Sequence, residues 1–257
     1  MTRAGGLPGP SGPPGAFAGI RAARGPRIDR AELLDAAGHD PAELRANFAD
    51  IGKVNRIGGG TRVILRTLPA LLDGIPAGRP VSILDLGCGM GDIPIAVANL
   101  LERQRRPFDL LATDLSPEVL AVARDRMGSR PGIALAEMDA LATGLPDRSF
   151  DLVLCSLTMH HFAPEQAVSL LREMARVCRV GIIVNDITRS PLGYAAAWGA
   201  ARVATRNRLT RNDMPLSVLR AYTPGEFRAM LRQAGLDDAQ VSTHPLFRMA
   251  AVWRRLE

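Results

Sequence analysis

Residues 85–92 read Asp-Leu-Gly-Cys-Gly-Met-Gly-Asp and continue a mostly apolar run that begins at Val81. Glycines allow a backbone to turn tightly and allow a ligand to approach the main chain. A helical pattern starts at Gly91, and the N-terminus of a helix favours an anionic group. The stretch therefore predicts a strand, a ligand-binding loop and a helix, which together form the first unit of a nucleotide-binding α/β fold.

Strands and helices alternate around this stretch. Strands are predicted at 81–86, 109–114, 132–137, 150–155 and 180–185, and helices at about 91–102, 116–127 and 164–177. Repeated strand-helix-strand units rich in Val, Ile and Leu imply a parallel sheet that is buried on both faces. Two short strands are predicted near the end of the chain, at about 239–243 and 247–253.

The composition along the chain predicts three segments. Residues 1–26 are rich in Gly and Pro and contain no acidic residue, which predicts a disordered tail. An organellar transit peptide is the alternative, but dense Pro and Gly oppose its amphipathic helix. Residues 27–78 contain predicted helices at about 41–57 and 61–72 and form an N-terminal helical lid. Residues 79–257 form the α/β domain, with an insertion at about 191–222.

The overall charge gives weak support for a nucleic-acid partner. The net charge is +6, but Lys53 is the only lysine and the arginines are scattered among 26 acidic residues. A compositional bias towards arginine explains this pattern, so we expect no nucleic-acid partner. The three cysteines lack metal-ligand spacing and indicate free thiols in a reducing cytoplasm, with no metal site. No stretch is apolar enough for a signal peptide or a membrane span.

Acidic residues follow the next two strands. Asp114 ends the second strand, where a carboxylate can accept both ribose hydroxyls of a nucleoside. Asp139 follows the third strand and is predicted to hold an adenine amino group. Residues beside these motifs are predicted to complete the cofactor site: Asp92, Leu115, Ala140 and Cys155.

These motifs resemble those of the class I S-adenosyl-L-methionine (SAM)-dependent methyltransferases. That family has a strand-terminal acid followed by G-x-G-x-G, here Asp85 with Gly87, Gly89 and Gly91. Residues 145–153 match its L-P-x-x-x-F-D-x-V approach to the fourth strand. The resemblance implies a Rossmann-like, doubly wound fold with SAM as cofactor. It also implies a seven-stranded, mostly parallel sheet whose last strand is antiparallel.

A narrower resemblance, to a bacterial subgroup of small-molecule methyltransferases, involves Asn55-Arg56, residues 156–161, residues 184–186 and residues 217–223. The subgroup is often associated with polyketide-type phenolic products of secondary metabolism. Arg56 follows a predicted helix beside glycines, where it either neutralises the methionine carboxylate of SAM or is a solvated arginine at a helix end.

Methyl transfer to a hydroxyl requires an in-line acceptor and removal of a proton. His160 and His161 follow the fourth strand, at the crevice where open α/β sheets bind ligands. In similar small-molecule O-methyltransferases the catalytic histidine matches His160. Asp186, on the neighbouring strand, either orients the imidazole or is itself the base.

The predicted insertion contains Tyr194 and Trp198, which lie four residues apart and share one helix face. That face either stacks on a flat aromatic acceptor or packs into the core. Core packing is the commoner fate of aromatic residues at this spacing, and both residues are named as candidates for substrate binding.

The favoured function is O-methylation of a small phenolic or polyketide-type acceptor. C-methylation of a quinone-type ring and a non-catalytic cofactor-binding partner domain are the alternatives. Base amino methylation needs an Asp/Asn-Pro-Pro-aromatic run, and cytosine C5 methylation needs a Pro-Cys nucleophile. The fourth strand, which ends in Cys155-Ser156, contains neither. The acceptor and the oligomeric state do not follow from the sequence.

Overall fold

A computed structural model describes residues 12–36 and 38–255, and within these ranges seven strands form one sheet. The strand order is β3-β2-β1-β4-β5-β7-β6. The strands are β1 (Val81–Leu86), β2 (Phe108–Asp114), β3 (Ile133–Glu137), β4 (Phe150–Ser156), β5 (Cys178–Ile187), β6 (Gln240–His244) and β7 (Arg248–Arg254). Each lies within two residues of its predicted position.

Strand direction matches the sequence-based expectation. Strands β1 to β5 pair in parallel, whereas β7 pairs antiparallel with both β5 and β6. The predicted seven-stranded Rossmann-like fold with an antiparallel last strand is confirmed. The strand order reverses between β1 and β4, and ligands bind at this kind of switch point, beyond the carboxyl ends of the strands.

Helices cover both faces of this sheet and extend beyond it. They are α1 (Ala16–Ala22), α2 (Pro41–Gly58), α3 (Gly60–Leu72), α4 (Asp92–Arg103), α5 (Pro117–Met127), α6 (Pro164–Val177), α7 (Pro191–Val203), α8 (Arg208–Arg220) and α9 (Pro224–Gln233). Polar caps explain several of the helix starts. Ser116 Oγ accepts from the backbone N–H of Val119 at 3.2 Å. Thr223 and Glu226 form a reciprocal capping box at the start of α9.

The core consists of two apolar layers, one on each face of the sheet. Successive residues of one strand point into opposite layers. Ile83 packs with α3 and α4, whereas Leu84 packs with α6 and α9, and both are fully buried. Burial of both faces explains why the parallel strands are almost continuously apolar.

The N-terminal part of the chain departs from the sequence-based expectation. Residues 1–11 of the predicted disordered tail lie outside the described residues, but Ala16–Ala22 forms helix α1. Prediction of a disordered tail is therefore wrong for this part. Ile20 and Ala23 pack with apolar residues of α7 and α8, and this burial offsets the entropy that we expected to keep the segment disordered.

Helices α2 and α3 occupy the predicted lid, and each packs against a different part of the protein. Apolar residues of α3, among them Ile64 and Leu68, join the core layer that contains α4. Gly52 of α2 lies instead against Met90 and Asp92 of the glycine loop. Helices α7 and α8 occupy the predicted insertion. Within the described residues, no helix combines the length and the hydropathy needed to cross a membrane.

Candidate active site

The glycine loop connects β1 to α4 at the switch point of the sheet. Gly87 has φ 71°, and a Cβ at this position would collide with Thr158. Gly89 has φ 53°, but a Cβ there would meet no atom within 4 Å. Gly87 is therefore required for packing against the loop after β4, whereas Gly89 faces open space where a ligand can approach the backbone.

Asp114 fastens this loop to the end of β2. Its two carboxylate oxygens accept from the backbone N–H of Gly89 at 3.0 Å and of Ser116 at 3.1 Å. Leu115 beside it is 66% exposed. The carboxylate predicted to bind ribose thus also shapes the loop, and an apolar side chain stands next to it in a position to cover a base.

Asp85 is a buried carboxylate that lacks partners. It is 1% exposed, and among the described residues neither of its side-chain oxygens has a hydrogen-bond donor. Burial, together with the nearby charge of Asp114, raises the pKa of Asp85 well above its ordinary value. Such a group is costly unless a donor reaches it. A cationic ligand that carries N–H donors would satisfy it, and SAM has both a sulfonium and an ammonium.

Three further predicted cofactor residues are placed near the same edge. Asp92 pairs with Arg126 through one carboxylate oxygen, and the other has no hydrogen-bond donor among the described residues. Asp139 is exposed and accepts from the backbone N–H of Leu141 at 2.8 Å. Ala140 is buried.

The two other predicted cofactor residues are Cys155 and Arg56. The side chain of Cys155 is fully buried in the core, and burial raises its thiol pKa. A ligand would therefore contact Cys155 only through its backbone. The side chain of Arg56 lies outside the described residues, and its role stays a prediction.

His160 and Asp186 form a buried pair beyond the carboxyl ends of β4 and β5. The Nδ1 atom of His160 lies 2.7 Å from Oδ1 of Asp186, and its backbone N–H donates to Oδ2 at 2.9 Å. Burial acts to raise the pKa of Asp186. The charge of His160 and the hydrogen bonds that Asp186 accepts outweigh burial, so this pKa is lowered. Because Asp186 also accepts from the N–H of Ile187, its oxygens are committed to orienting neighbouring groups.

His161 belongs to a second pair, which joins the turn after β4 to the N-terminal segment. Its Nδ1 lies 2.8 Å from Oδ1 of Asp35, and Arg220 bridges Oδ2 of Asp35 at 2.6 Å and the His161 carbonyl at 2.7 Å. Burial acts to lower the pKa of His161, but the charges of Glu32 and Asp35 and the hydrogen bond that His161 donates to Asp35 outweigh it, so this pKa is raised. The side chain is 25% exposed.

Glu32 faces both histidines. Its carboxylate oxygens lie 3.7 Å from Nε2 of His160 and 3.9 Å from Nε2 of His161. Ser217 Oγ, on α8, donates to Glu32 at 2.7 Å. Asp213, an acid of α8, accepts from the backbone N–H groups of Leu33 and Leu34. These hydrogen bonds hold the segment around Glu32 to α8, next to the two histidines.

Sequence reasoning missed the residues that surround the histidines. Glu32, Asp35, Arg27 and Arg220 lie far from the glycine motif in sequence, and Arg27 donates to the His160 carbonyl at 2.8 Å. Of these positions, only Arg220 lies in a stretch that the sequence analysis singled out. The others read as ordinary charged residues because nothing local indicates that they are brought to the site.

The two aromatic residues predicted to bind the acceptor, Tyr194 and Trp198, differ in burial. Tyr194 is fully buried, lies against Gly19 of α1 and donates from its hydroxyl to the Pro14 carbonyl. The guanidinium of Arg202 lies 4.9 Å from the centre of the Trp198 ring. Both aromatic rings pack with the apolar cluster between α1 and α7. The substrate-binding prediction for Tyr194 is therefore corrected to a packing role, whereas Trp198 is only partly buried and its role stays a prediction.

The site combines a parallel sheet, a glycine loop, acids at the ends of β1 and β2, and a histidine–aspartate pair near the ends of β4 and β5. This combination is that of the Rossmann-like methyltransferase class. Residues 83–181 match the family described as Methyltransferase domain. The chain therefore contains a class I SAM-dependent methyltransferase domain.

Known proteins similar to the chain agree with this class. The chain is 36% identical over 102 residues to the ubiquinone/menaquinone biosynthesis C-methyltransferase UbiE of Xanthomonas oryzae, and the match covers 38% of each protein. It is 33% identical over 195 residues to the ribosomal RNA large subunit methyltransferase G of Streptomyces coelicolor, covering 74% of this chain and 48% of that relative. The chain thus spans less than half the length of either relative.

A solved structure described as PigF with SAH shares the fold. It has a TM-score of 0.60 and 18% sequence identity, and the match covers 93% of this chain and 70% of that one. This likeness concerns the fold and supports no statement about an acceptor.

Proposed function

We propose that the protein transfers a methyl group from SAM to a small phenolic or polyketide-type acceptor, and that the acceptor atom is oxygen. The observation that carries the proposal is the His160–Asp186 pair, at 2.7 Å. His160 follows β4, the strand next to β1, and Asp186 lies near the end of β5. When bound, SAM supplies an electrophilic methyl group, and transfer of that group to an oxygen leaves S-adenosylhomocysteine. The protein must place the acceptor and receive its proton.

The residues have separate roles in this proposal. Asp114 and the open backbone at Gly89 hold the nucleoside, and Asp85 accepts from the ammonium. Asp186 keeps the hydrogen of His160 on Nδ1, which leaves the Nε2 lone pair to receive the hydroxyl proton. Because the oxygens of Asp186 are engaged by His160 and Ile187, we assign Asp186 an orienting role and not that of the base.

C-methylation of a quinone-type ring is the second candidate. Similarity to UbiE, named a C-methyltransferase, favours it, although only 38% of the chain is aligned. An activated ring carbon also loses a proton to a base, so the same histidine serves either reaction. The three cysteines are free and buried, which agrees with a reducing compartment, and we place the reaction in the cytoplasm.

The test is incubation of the protein with methyl-labelled SAM and a panel of phenols, quinones and ribosomal RNA, followed by mass spectrometry of each product. We expect a gain of one methyl group on a phenol, with the label on oxygen. A label on ring carbon would establish the second candidate, and transfer to RNA alone would overturn both. The Asp114→Ala variant is the matched negative control, because it loses a carboxylate that shapes the cofactor site.

A further inference from the structure

Three side chains from two distant parts of the sequence converge beyond the end of β4. One ligand atom from each of Glu32, His160 and His161 can be chosen so that all three lie within 4.8 Å of one another. Glu32 and His160 are buried, and His161 is partly open to solvent. Two imidazoles and a carboxylate are a common set of protein ligands for a catalytic transition-metal ion.

The outer partners of the histidines orient them for this role. Nδ1 of His160 faces Asp186 at 2.7 Å, and Nδ1 of His161 faces Asp35 at 2.8 Å. A carboxylate only accepts hydrogen bonds, so each Nδ1 carries the hydrogen. Metal-binding histidines typically donate their second N–H to a carboxylate in this way.

With hydrogen on each Nδ1, the Nε2 lone pairs of both histidines face the lone pairs of the Glu32 carboxylate. The Nε2 atoms of both histidines point towards the carboxylate of Glu32, at 3.7 and 3.9 Å, beyond hydrogen-bond distance. Bonds from zinc to such ligands measure about 2 Å, so ligand atoms around one ion lie up to about 4 Å apart. The separations fit a cation held between the three groups.

The charge of the surroundings also favours a divalent cation. Asp35, Asp186 and Asp213 are the other acids of this cluster, and Arg220 pairs with Asp35 while Arg27 donates to the His160 carbonyl. Asp29 also pairs with Arg27, and the charge of the buried Arg248 interacts with that of Asp186, so five carboxylates face three guanidinium groups. With both imidazoles neutral, the cluster carries two uncompensated negative charges, which a divalent ion would balance.

We propose that Glu32, His160 and His161 bind a divalent transition-metal ion of the zinc class. The two nitrogen ligands favour Zn²⁺ or Co²⁺ over Mg²⁺, Ca²⁺ and Mn²⁺. Three protein ligands leave a coordination position free for an acceptor oxygen. The role of the ion rests on the proposed function, but its binding does not. With the ion in place, His160 is a ligand and the ion, as a Lewis acid, activates the hydroxyl.

The test is titration of Co²⁺ into chelator-treated full-length protein, followed by visible absorption, with Zn²⁺ calorimetry in parallel. We expect one ion per chain. Glu32→Gln and His161→Gln should each weaken binding at least about tenfold. His244→Ala, which removes a histidine outside the cluster, should bind the ion normally. Unchanged melting temperature and SAM affinity in the two variants would show that they fold.

The outcomes separate this inference from the proposed function. Failure of the protein to bind either ion, or binding that both variants leave unchanged, would overturn the metal site. The cluster would then be a set of ion pairs, even if methyl transfer proceeds in chelator. One ion per chain, lost in both variants, would support the site even if no acceptor in the panel is methylated.

Discussion

Two buried aspartates lie on neighbouring central strands of the sheet, near opposite ends, and their surroundings differ. Asp151, near the start of β4, accepts from Arg79 at 2.7 and 2.9 Å, from Arg179 at 2.9 Å and from Ser82. Asp85, near the end of β1, has no donor to its carboxylate among the described residues. Both side chains are almost completely inaccessible to solvent.

The difference separates a stabilising carboxylate from one that awaits a ligand. Hydrogen-bonded partners compensate the burial of Asp151, whereas the same burial at Asp85 stays uncompensated until a cationic ligand binds. The pKa values agree. Burial raises that of Asp85, but at Asp151 the hydrogen bonds from Arg79 and Ser82 outweigh burial and lower it. The comparison therefore places a stabilising carboxylate near the amino end of β4 and a candidate ligand-binding carboxylate near the carboxyl end of β1.

The largest effect is expected at the carboxyl ends. His160→Ala should lower turnover by about 10²- to 10⁴-fold, because it removes the base that activates the acceptor or, in the metal-bound protein, a ligand of the activating ion. Steady-state kinetics and SAM calorimetry on the same preparation measure this, with His244→Ala as control. Equal losses of SAM affinity and turnover would contradict the prediction and assign His160 a purely structural role.

Asp85→Asn should give opposite changes in affinity and stability. Loss of a charged acceptor should weaken SAM binding by about 1.5 to 3 kcal/mol, or roughly tenfold to a hundredfold. Removal of an uncompensated buried charge should raise the melting temperature of the ligand-free protein. Calorimetry and thermal unfolding measure the two quantities. A lower melting temperature with unchanged SAM affinity would place Asp85 with the stabilising carboxylates.

Asp151→Asn should show the reverse behaviour. We expect a loss of about 1 to 3 kcal/mol in unfolding free energy, with SAM affinity unchanged, because its arginine partners are partly exposed and can be solvated. The lowered pKa of Asp151 means that its contribution is present above the ordinary aspartate pKa of 3.8 and is lost as the pH falls through the lower folded value. Denaturant unfolding of both proteins from pH 7 to pH 3 should therefore show their difference shrinking. A difference that stays constant would contradict the ion-pair explanation.

Tyr194→Phe should have the smallest effect. Its hydroxyl donates to the Pro14 carbonyl, so we expect a loss of about 1 kcal/mol in stability and no change in the acceptor Michaelis constant. Thermal unfolding and steady-state kinetics test both parts. A large rise in that constant without a stability change would restore Tyr194 to the acceptor site.

Helix α1 shows where composition misled the sequence reading. The Gly- and Pro-rich start of the chain lacks the periodic pattern of an independent helix, so local composition predicted disorder. Helix α1 packs against α7, and Gly19 leaves the space that the Tyr194 ring fills. The sequence around Gly19 does not show that a ring packs there, and the sequence around Tyr194 does not show which helix it contacts. The prediction for Tyr194 failed for the same reason, because helical spacing places two rings on one face without showing what that face contacts.

The sequence by itself determined the strand, glycine loop and helix of the first unit, and the acids at the ends of β1 and β2. These features are local, since a strand, a turn and a helix start each depend on neighbouring residues. It also predicted His160 and Asp186 from the fold, because parallel strands bring their carboxyl ends to one edge. Only the tertiary structure decided that Glu32 and Asp35 join the histidines. Their positions depend on the packing of an N-terminal segment against α8, about 180 residues away, and no local pattern encodes a contact at that separation.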